Sequence, residues 1–464
     1  MLPDILRNPS VRQYLIVITA NLNVFAIGLA IAWPSSMIVK LRNEEETVLD
    51  KPITEEEGSW IVSIGFLVGG ILNFVPALTT DILGRKYSII ILNFPSVIGY
   101  LLLIFASELW HLILGRALVG ASMLFLLTVI PAYASEISST SIRGSLGTCL
   151  QVMCALGFVT MMSIGPYVSY LAVNIFCICF VITGLICTFF LPETPYFLYR
   201  KGRTFESLNT LIFLRGSEKV AMDELKEYEV DDIDQAVSKR ELIKNPIFLK
   251  SLGLIMVIGI ATQLIGFAVV KFYLETIIEM TQTSLSSKIS SVIVGLIELV
   301  AAVITSAYTD RFGRKPIFII SLIGMAIGMV GLGVFFYVTQ NMVSIVGFLN
   351  LMPIICVVIV IFTCSLGPGS LMYAIFSELL ENKARGIGLS IAMVVTSLAL
   401  FVSSKYFAAV VASIGPAATF WIFSGNCILL CLFIVFFVPE TKGKSFSEIQ
   451  IALGAKKVRH CPSS

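Results

Sequence analysis

The stretch DILGRK, residues 81–86, sets an acid, a glycine and two bases between long apolar runs, and DRFGRK, residues 310–315, repeats the arrangement 229 residues later. Two further pairs keep step. SEISSTSIRG (135–144) matches SELLENKARG (377–386), with Glu and Arg seven apart in both copies, and Pro192-Glu193-Thr194 matches Pro439-Glu440-Thr441. The offsets of these pairs, 242 and 247 residues, are close to the first, so a whole unit is duplicated in the same direction. Parallel repeats of this kind place a site near the midplane, between two halves.

The runs that flank the loops are apolar enough to cross a bilayer. Of 464 residues, 57% are hydrophobic and 13% charged, and the mean hydropathy is +0.92; soluble domains carry about a quarter charged residues. Runs such as SIIILNFPSVIGYLLLIFAS (88–107) and FWIFSGNCILLCLFIVFFV (420–438) are continuous rather than alternating, which predicts spanning helices and not barrel strands. Each span needs about 20 residues. Twelve are predicted, starting near Gln13, Ser59, Tyr87, Leu112, Gly144, Leu171, Phe248, Ile289, Pro316, Ser344, Ile387 and Pro416. The expected fold is an all-α integral membrane protein whose surroundings are the lipid bilayer.

The long polar stretch between the sixth and seventh spans divides the chain. The reading is an N-terminal six-helix bundle over 1–195, a loop with short surface helices over 196–247, a C-terminal six-helix bundle over 248–438 and a tail over 439–464. The polar opening MLPDILRNPSVRQY predicts a retained first span rather than a cleaved leader. With that opening on the inner side, 24 of the 32 Lys and Arg fall in inner segments, so the positive-inside rule predicts cytoplasmic termini.

Several functions are argued against by what the chain lacks. A net charge of +2 with no soluble basic face predicts no nucleic-acid partner. The ten cysteines lie almost entirely in apolar runs, so no disulfide framework is expected. The two histidines, His111 and His460, form no metal-spaced cluster, and no phosphate-cradling glycine loop appears. Neither an enzyme nor a cofactor is predicted.

The motifs in this order resemble the sugar porter family of the major facilitator superfamily. They are D-x-x-G-R-K after spans two and eight, GRALVG (115–120), PAYASEI and RGSLG around spans four and five, PETPYFLYRKGR after span six, GPGSLMYAIFSEL on span ten and PETKGKSFSEI after span twelve. The short acidic first outer loop and the TKGKSFSEIQ tail are most similar to the insect facilitated trehalose transporter branch. The resemblance implies the major facilitator fold, two pseudo-symmetric six-helix bundles that move a sugar by alternating access in the cell membrane. It also implies a conformational network at the inner face. There Arg85, Arg143, Arg314 and Arg385 would meet Glu136, Glu193, Glu378 and Glu440, with Asp81, Lys86, Asp310 and Lys315 beside them, and the inner face would open by breaking it.

The resemblance places the substrate on Gln151, Thr262, Gln263, Tyr273, Glu298, Tyr373 and Thr396, and here the chain departs from its family. Thr262 and Ala268 stand where the family has Gln and Asn on span seven. Tyr373 replaces a Trp, and Thr396, Ser397 and Leu400 replace Asn, Trp and Asn. Glu298 replaces an amide. It lies twelve residues before Asp310, about 18 Å up the helix, and an ionisable group at that depth is a functional-site candidate by default. Three readings stay open: a protonated Glu298 donating to a sugar, a structural pair with Lys271 or another base, or a site for a proton or cationic substrate. Lys271 itself is expected to pair with Glu275, one helical turn on. The position that is acidic in proton-coupled sugar porters falls near Ile27, which predicts facilitated diffusion. The alternatives are a carrier of protons or organic cations that uses Glu298, and a sensor that binds sugar without moving it.

Overall fold

The computed structural model describes residues 8–139, 142–234, 246–282, 286–340, 347–380 and 385–440. The first half holds α1 (Pro9–Arg42), α2 (Glu55–Ile71), α3 (Val75–Leu83), α4 (Arg85–Ile104), α5 (Leu109–Ile137), α6 (Arg143–Ile164) and α7 (Tyr170–Phe189). Between the halves lie α8 (Pro195–Arg200), α9 (Thr204–Arg215) and α10 (Glu218–Asp234). The second half holds α11 (Pro246–Leu264), α12 (Phe267–Phe272), α13 (Leu274–Met280), α14 (Ser287–Phe312), α15 (Arg314–Gln340), α16 (Met352–Leu366), α17 (Pro368–Leu379), α18 (Arg385–Ile414) and α19 (Pro416–Phe437).

Local chemistry explains where these helices start. The Asn8 side chain accepts the Ser10 N–H ahead of Pro9, and Thr54 and Glu57 form a reciprocal capping box at the head of α2. Among the described residues, eleven helices are long and apolar enough to cross a bilayer, and the pair α2–α3, bent by 53°, makes a twelfth. Two spans are interrupted, the seventh into α11, α12 and α13 and the tenth into α16 and α17. Exposed side chains such as Ile98, Ile186, Ile320 and Leu429 turn outward, as lipid-facing positions must.

Each half packs by the same plan. In the first, α4 lies on α5 and α7, α2 on α5, and α1 on α6; in the second, α15 lies on α16 and α19, α14 on α16, and α11 on α18. Small residues permit the close crossings: a methyl on Gly28 would meet the Gly157 Cα at 2.9 Å, and one on Gly65 the Gly120 Cα at 2.7 Å. Across the seam between halves, α2 packs on α18 and α6 on α14. The connecting helices dock under the first half, where Gln13 donates to the Leu214 carbonyl at 2.8 Å and Arg215 to the Ile137 carbonyl at 2.8 Å. This is the end that carries the repeated charged loops, called the motif end below.

Candidate functional site

At the motif end, Gly84 and Gly313 adopt φ/ψ of 93°/174° and 89°/157°, a region open essentially to glycine alone. Each thereby starts a new helix directly after the previous one stops, with its first N–H groups free. A carboxylate takes them in both copies. Glu193 accepts the N–H of Arg85 at 3.0 Å and of Lys86 at 3.2 Å, and Glu440 accepts those of Arg314 and Lys315 at 3.3 Å each. Burial pushes the Glu193 carboxyl above its ordinary range, while those N–H groups hold it down in part. The arginine side chains reach sideways: Arg85 Nε to Glu136 at 2.9 Å, and Arg314 Nε to Glu378 at 3.1 Å.

Both of these ion pairs close within one half. Arg85 and Glu136 lie on α4 and α5, and Arg314 and Glu378 on α15 and α17, so each pair joins helices of a single half. Separation of the halves leaves such a bond intact. Asp81 stands apart, exposed and 3.9 Å from Arg200, while Lys315 caps the carbonyls of Val435 and Val438 at 2.8 Å. The side chains of Arg143, Asp310 and Arg385 lie outside the described residues.

At mid-depth the seam is polar and aromatic. Gln151 on α6 donates to the Ser370 hydroxyl at 3.2 Å, a hydrogen bond between halves, and that hydroxyl in turn donates to the Ser365 carbonyl. Phe66 of α2 stacks on Phe272 of α12, with centroids 5.2 Å apart. Nearby in the second half, Gln263 donates to Thr262 Oγ1 at 3.4 Å and Thr262 to the Gly259 carbonyl at 2.9 Å. Thr396 lies against that same Gly259, and its buried hydroxyl has no hydrogen-bond partner among the described residues.

Tyr273 does not join this group. Its ring packs on Phe407 and its hydroxyl donates to the Ser404 carbonyl at 3.2 Å, so it is spent inside the second half. The Tyr373 side chain lies outside the described residues.

Lys271 binds Glu298, not Glu275, and both side chains of the pair are about nine-tenths buried. The helical spacing that would join Lys271 to Glu275 is broken because α12 ends at Phe272 and α13 starts afresh at Leu274. Lys271 also lies over the rings of Phe158 on α6 (4.9 Å) and Phe267 (4.5 Å). An ionised Glu298 accepts hydrogen bonds and donates none. Its Oε1 is taken by Lys271; its Oε2 is buried without a partner among the described residues.

A family profile described as sugar (and other) transporter matches residues 15–453. The chain belongs to this family. It is 31% identical to the facilitated trehalose transporter Tret1 of Culex quinquefasciatus over 94% of this chain and 85% of the relative. It is 27% identical to the human solute carrier family 2, facilitated glucose transporter member 6, over 95% and 90% of the two chains. Among solved structures it superposes on the inward open conformation of the xylose transporter XylE from E. coli with a TM-score of 0.78, at 20% identity, covering 95% of this chain and 99% of that one. XylE bound to 6-bromo-6-deoxy-D-glucose gives 0.77 at 21% identity, over 96% and 100%. The twelve-helix major facilitator fold is therefore that of this sugar transporter family member.

The transporter also carries buried polar contacts outside the charged-loop motifs. Arg116, within GRALVG, is buried with its guanidinium 4.7 Å from the Trp33 ring and near the carbonyls of Ala30 and Ile61; no carboxylate pairs with it among the described residues. A charge inside an apolar run was the available signal. Asn93 donates to Asn23 at 2.6 Å and Asn23 to Thr188 at 3.0 Å, an amide chain inside the first half. At the end opposite the motifs, Lys405 of α18 donates to Ser59 at 2.8 Å and lies 4.4 Å from the Trp60 ring, and Glu275 N–H donates to Ser35 at 3.1 Å. These last contacts cross between halves, and sequence offers no sign of them.

Proposed function

We propose that the protein is a uniporter that carries a neutral sugar, trehalose or a hexose, across the cell membrane by rocking its two six-helix halves about the polar seam. The observation that carries this reading is the seam itself. Gln151 bridges the halves through Ser370, and the buried Glu298 Oε2 and Thr396 Oγ1 have no partner among the described residues. Buried polar atoms without partners cost about 1–3 kcal/mol each, and sugar hydroxyls are suited to satisfy them. Gln151, Thr262, Gln263, Glu298 and Thr396 supply the binding groups, with Tyr373 a further candidate. The relatives named for trehalose and glucose transport support the substrate class.

The paired motifs keep each half rigid while it rocks. The motif end is assigned to the cytoplasm, together with both termini, the loop over 196–247 and the tail over 439–464. The halves meet at the opposite, outer end through Lys405, Ser35 and Glu275, an arrangement closed to the outside. Movement without proton coupling fits the buried, apolar Ile27 and the capture of Glu298 by Lys271.

The test is uptake of labelled trehalose and glucose into proteoliposomes containing the full chain, with and without an inward proton gradient. Saturable uptake that ignores the gradient is expected. Uptake that requires the gradient makes it a symporter, and saturable binding without any flux makes it a sensor.

A further inference from the structure

We propose that the Lys271–Glu298 pair is a charge filter that restricts the transported substrate to uncharged molecules, an inference that rests on the sugar reading above. The placement comes first. Gly295, three residues before Glu298 and so on the same face of α14, presses on α6: a methyl there would meet the Val159 Cα at 3.1 Å. Glu298 therefore faces the seam. Phe158, seven residues after Gln151 and so on the same face of α6, holds its ring 4.9 Å from the Lys271 ammonium. The ion pair and the Gln151–Ser370–Ser365 chain thus line the same seam between the halves.

The chemistry follows from what each atom has left to offer. Lys271 neutralises Glu298 through Oε1, and the rings of Phe158 and Phe267 hold the ammonium in place by cation–π attraction. Glu298 Oε2 remains as an acceptor. A hydroxyl donates to it without adding charge. An amine on the substrate would meet Lys271, and a carboxylate would meet Glu298, each in a setting where an unpaired charge is costly. Loss of one partner should uncover the other. Without Lys271, Glu298 and two aromatic faces make a receptor for an organic ammonium group; without Glu298, Lys271 attracts a carboxylate.

The experiment is competition of glucose, protonated glucosamine and glucuronate against labelled neutral sugar, near neutral pH, with the full chain in proteoliposomes. Wild type is expected to respond to glucose alone. Lys271→Met should shift selectivity toward glucosamine and Glu298→Gln toward glucuronate, each by about tenfold or more, as the coupling energies of close charge pairs allow. The double variant and the reversed pair, Lys271→Glu with Glu298→Lys, should both return to neutral sugars. The reversed pair also serves if the single variants fold poorly.

Unchanged selectivity in both single variants, with neutral sugar still bound, overturns the filter. Absence of neutral-sugar binding in wild type overturns the sugar reading instead, and the filter is then read from thermal shifts. Ethylammonium should stabilise Lys271→Met, and acetate Glu298→Gln, more than either stabilises wild type. No such gain overturns it.

Discussion

At the motif end Arg85 holds Glu136 and Arg314 holds Glu378, each inside its own half, whereas at the opposite end Lys405, Lys288 and Glu275 meet residues of the other half. The first set is duplicated down to the glycine and the capping carboxylate; the second has no counterpart in the repeat. Charges that staple a half set how stable that half is. Contacts that span the seam set how often the halves part. The two sets should therefore respond to different measurements.

The largest effect should come from mid-depth, where Lys271 and Glu298 both belong to the second half. Lys271→Met or Glu298→Gln should lower stability in detergent by about 3–5 kcal/mol, the usual cost of leaving a buried charge unpaired. The double variant should recover much of the loss. A double variant no better than the worse single would show that the two act independently.

Glu136→Gln and Glu378→Gln each remove a charge-assisted bond worth about 1.5–3 kcal/mol. If the repeat is energetic as well as geometric, their thermal shifts should match, and the inward-to-outward equilibrium should not move. Unequal shifts would break the symmetry. Gly84→Ala belongs beside them: backbone strain costs about 1–3 kcal/mol, and the new methyl would lie 2.3 Å from Glu193 Oε2.

At the opposite end, Glu275 is buried and its N–H donates to the Ser35 hydroxyl of the other half at 3.1 Å. Ser35→Ala removes that contact, for about 0.5–1.5 kcal/mol, and should open that end several-fold more often, read by labelling of a cysteine introduced at that face; labelling unchanged by the substitution would sink the idea.

The smallest effect is expected from Lys405→Met, which removes one cation–π contact and one hydrogen bond for about 0.5–1 kcal/mol. It should open that end several-fold more often while leaving the melting temperature in place. A drop in melting temperature with no change in labelling would move Lys405 into the stapling class.

How much of this was legible depended on distance along the chain. Helix count, the two halves and the loop motifs follow from local composition and from a repeat whose copies can be laid side by side. The structure pairs Glu136 with Arg85 and Glu378 with Arg314, and sequence could not say that each bond closes within one half. Lys271 shows the limit most plainly: at helical spacing Glu275 was its nearest acid, yet a break after Phe272 turned the chain and brought Glu298 to it instead.

By itself the sequence determined the bilayer, the twelve-helix plan and its duplication, because hydrophobic length and loop chemistry are written into consecutive residues. Only the tertiary structure decided which charges staple a half and which cross the seam, and that Glu298 gives one oxygen to Lys271 while the other has no partner among the described residues. The reason is physical. A buried charge is governed by whatever lies within a few ångströms, and in a folded bundle those neighbours come from helices far apart in the chain.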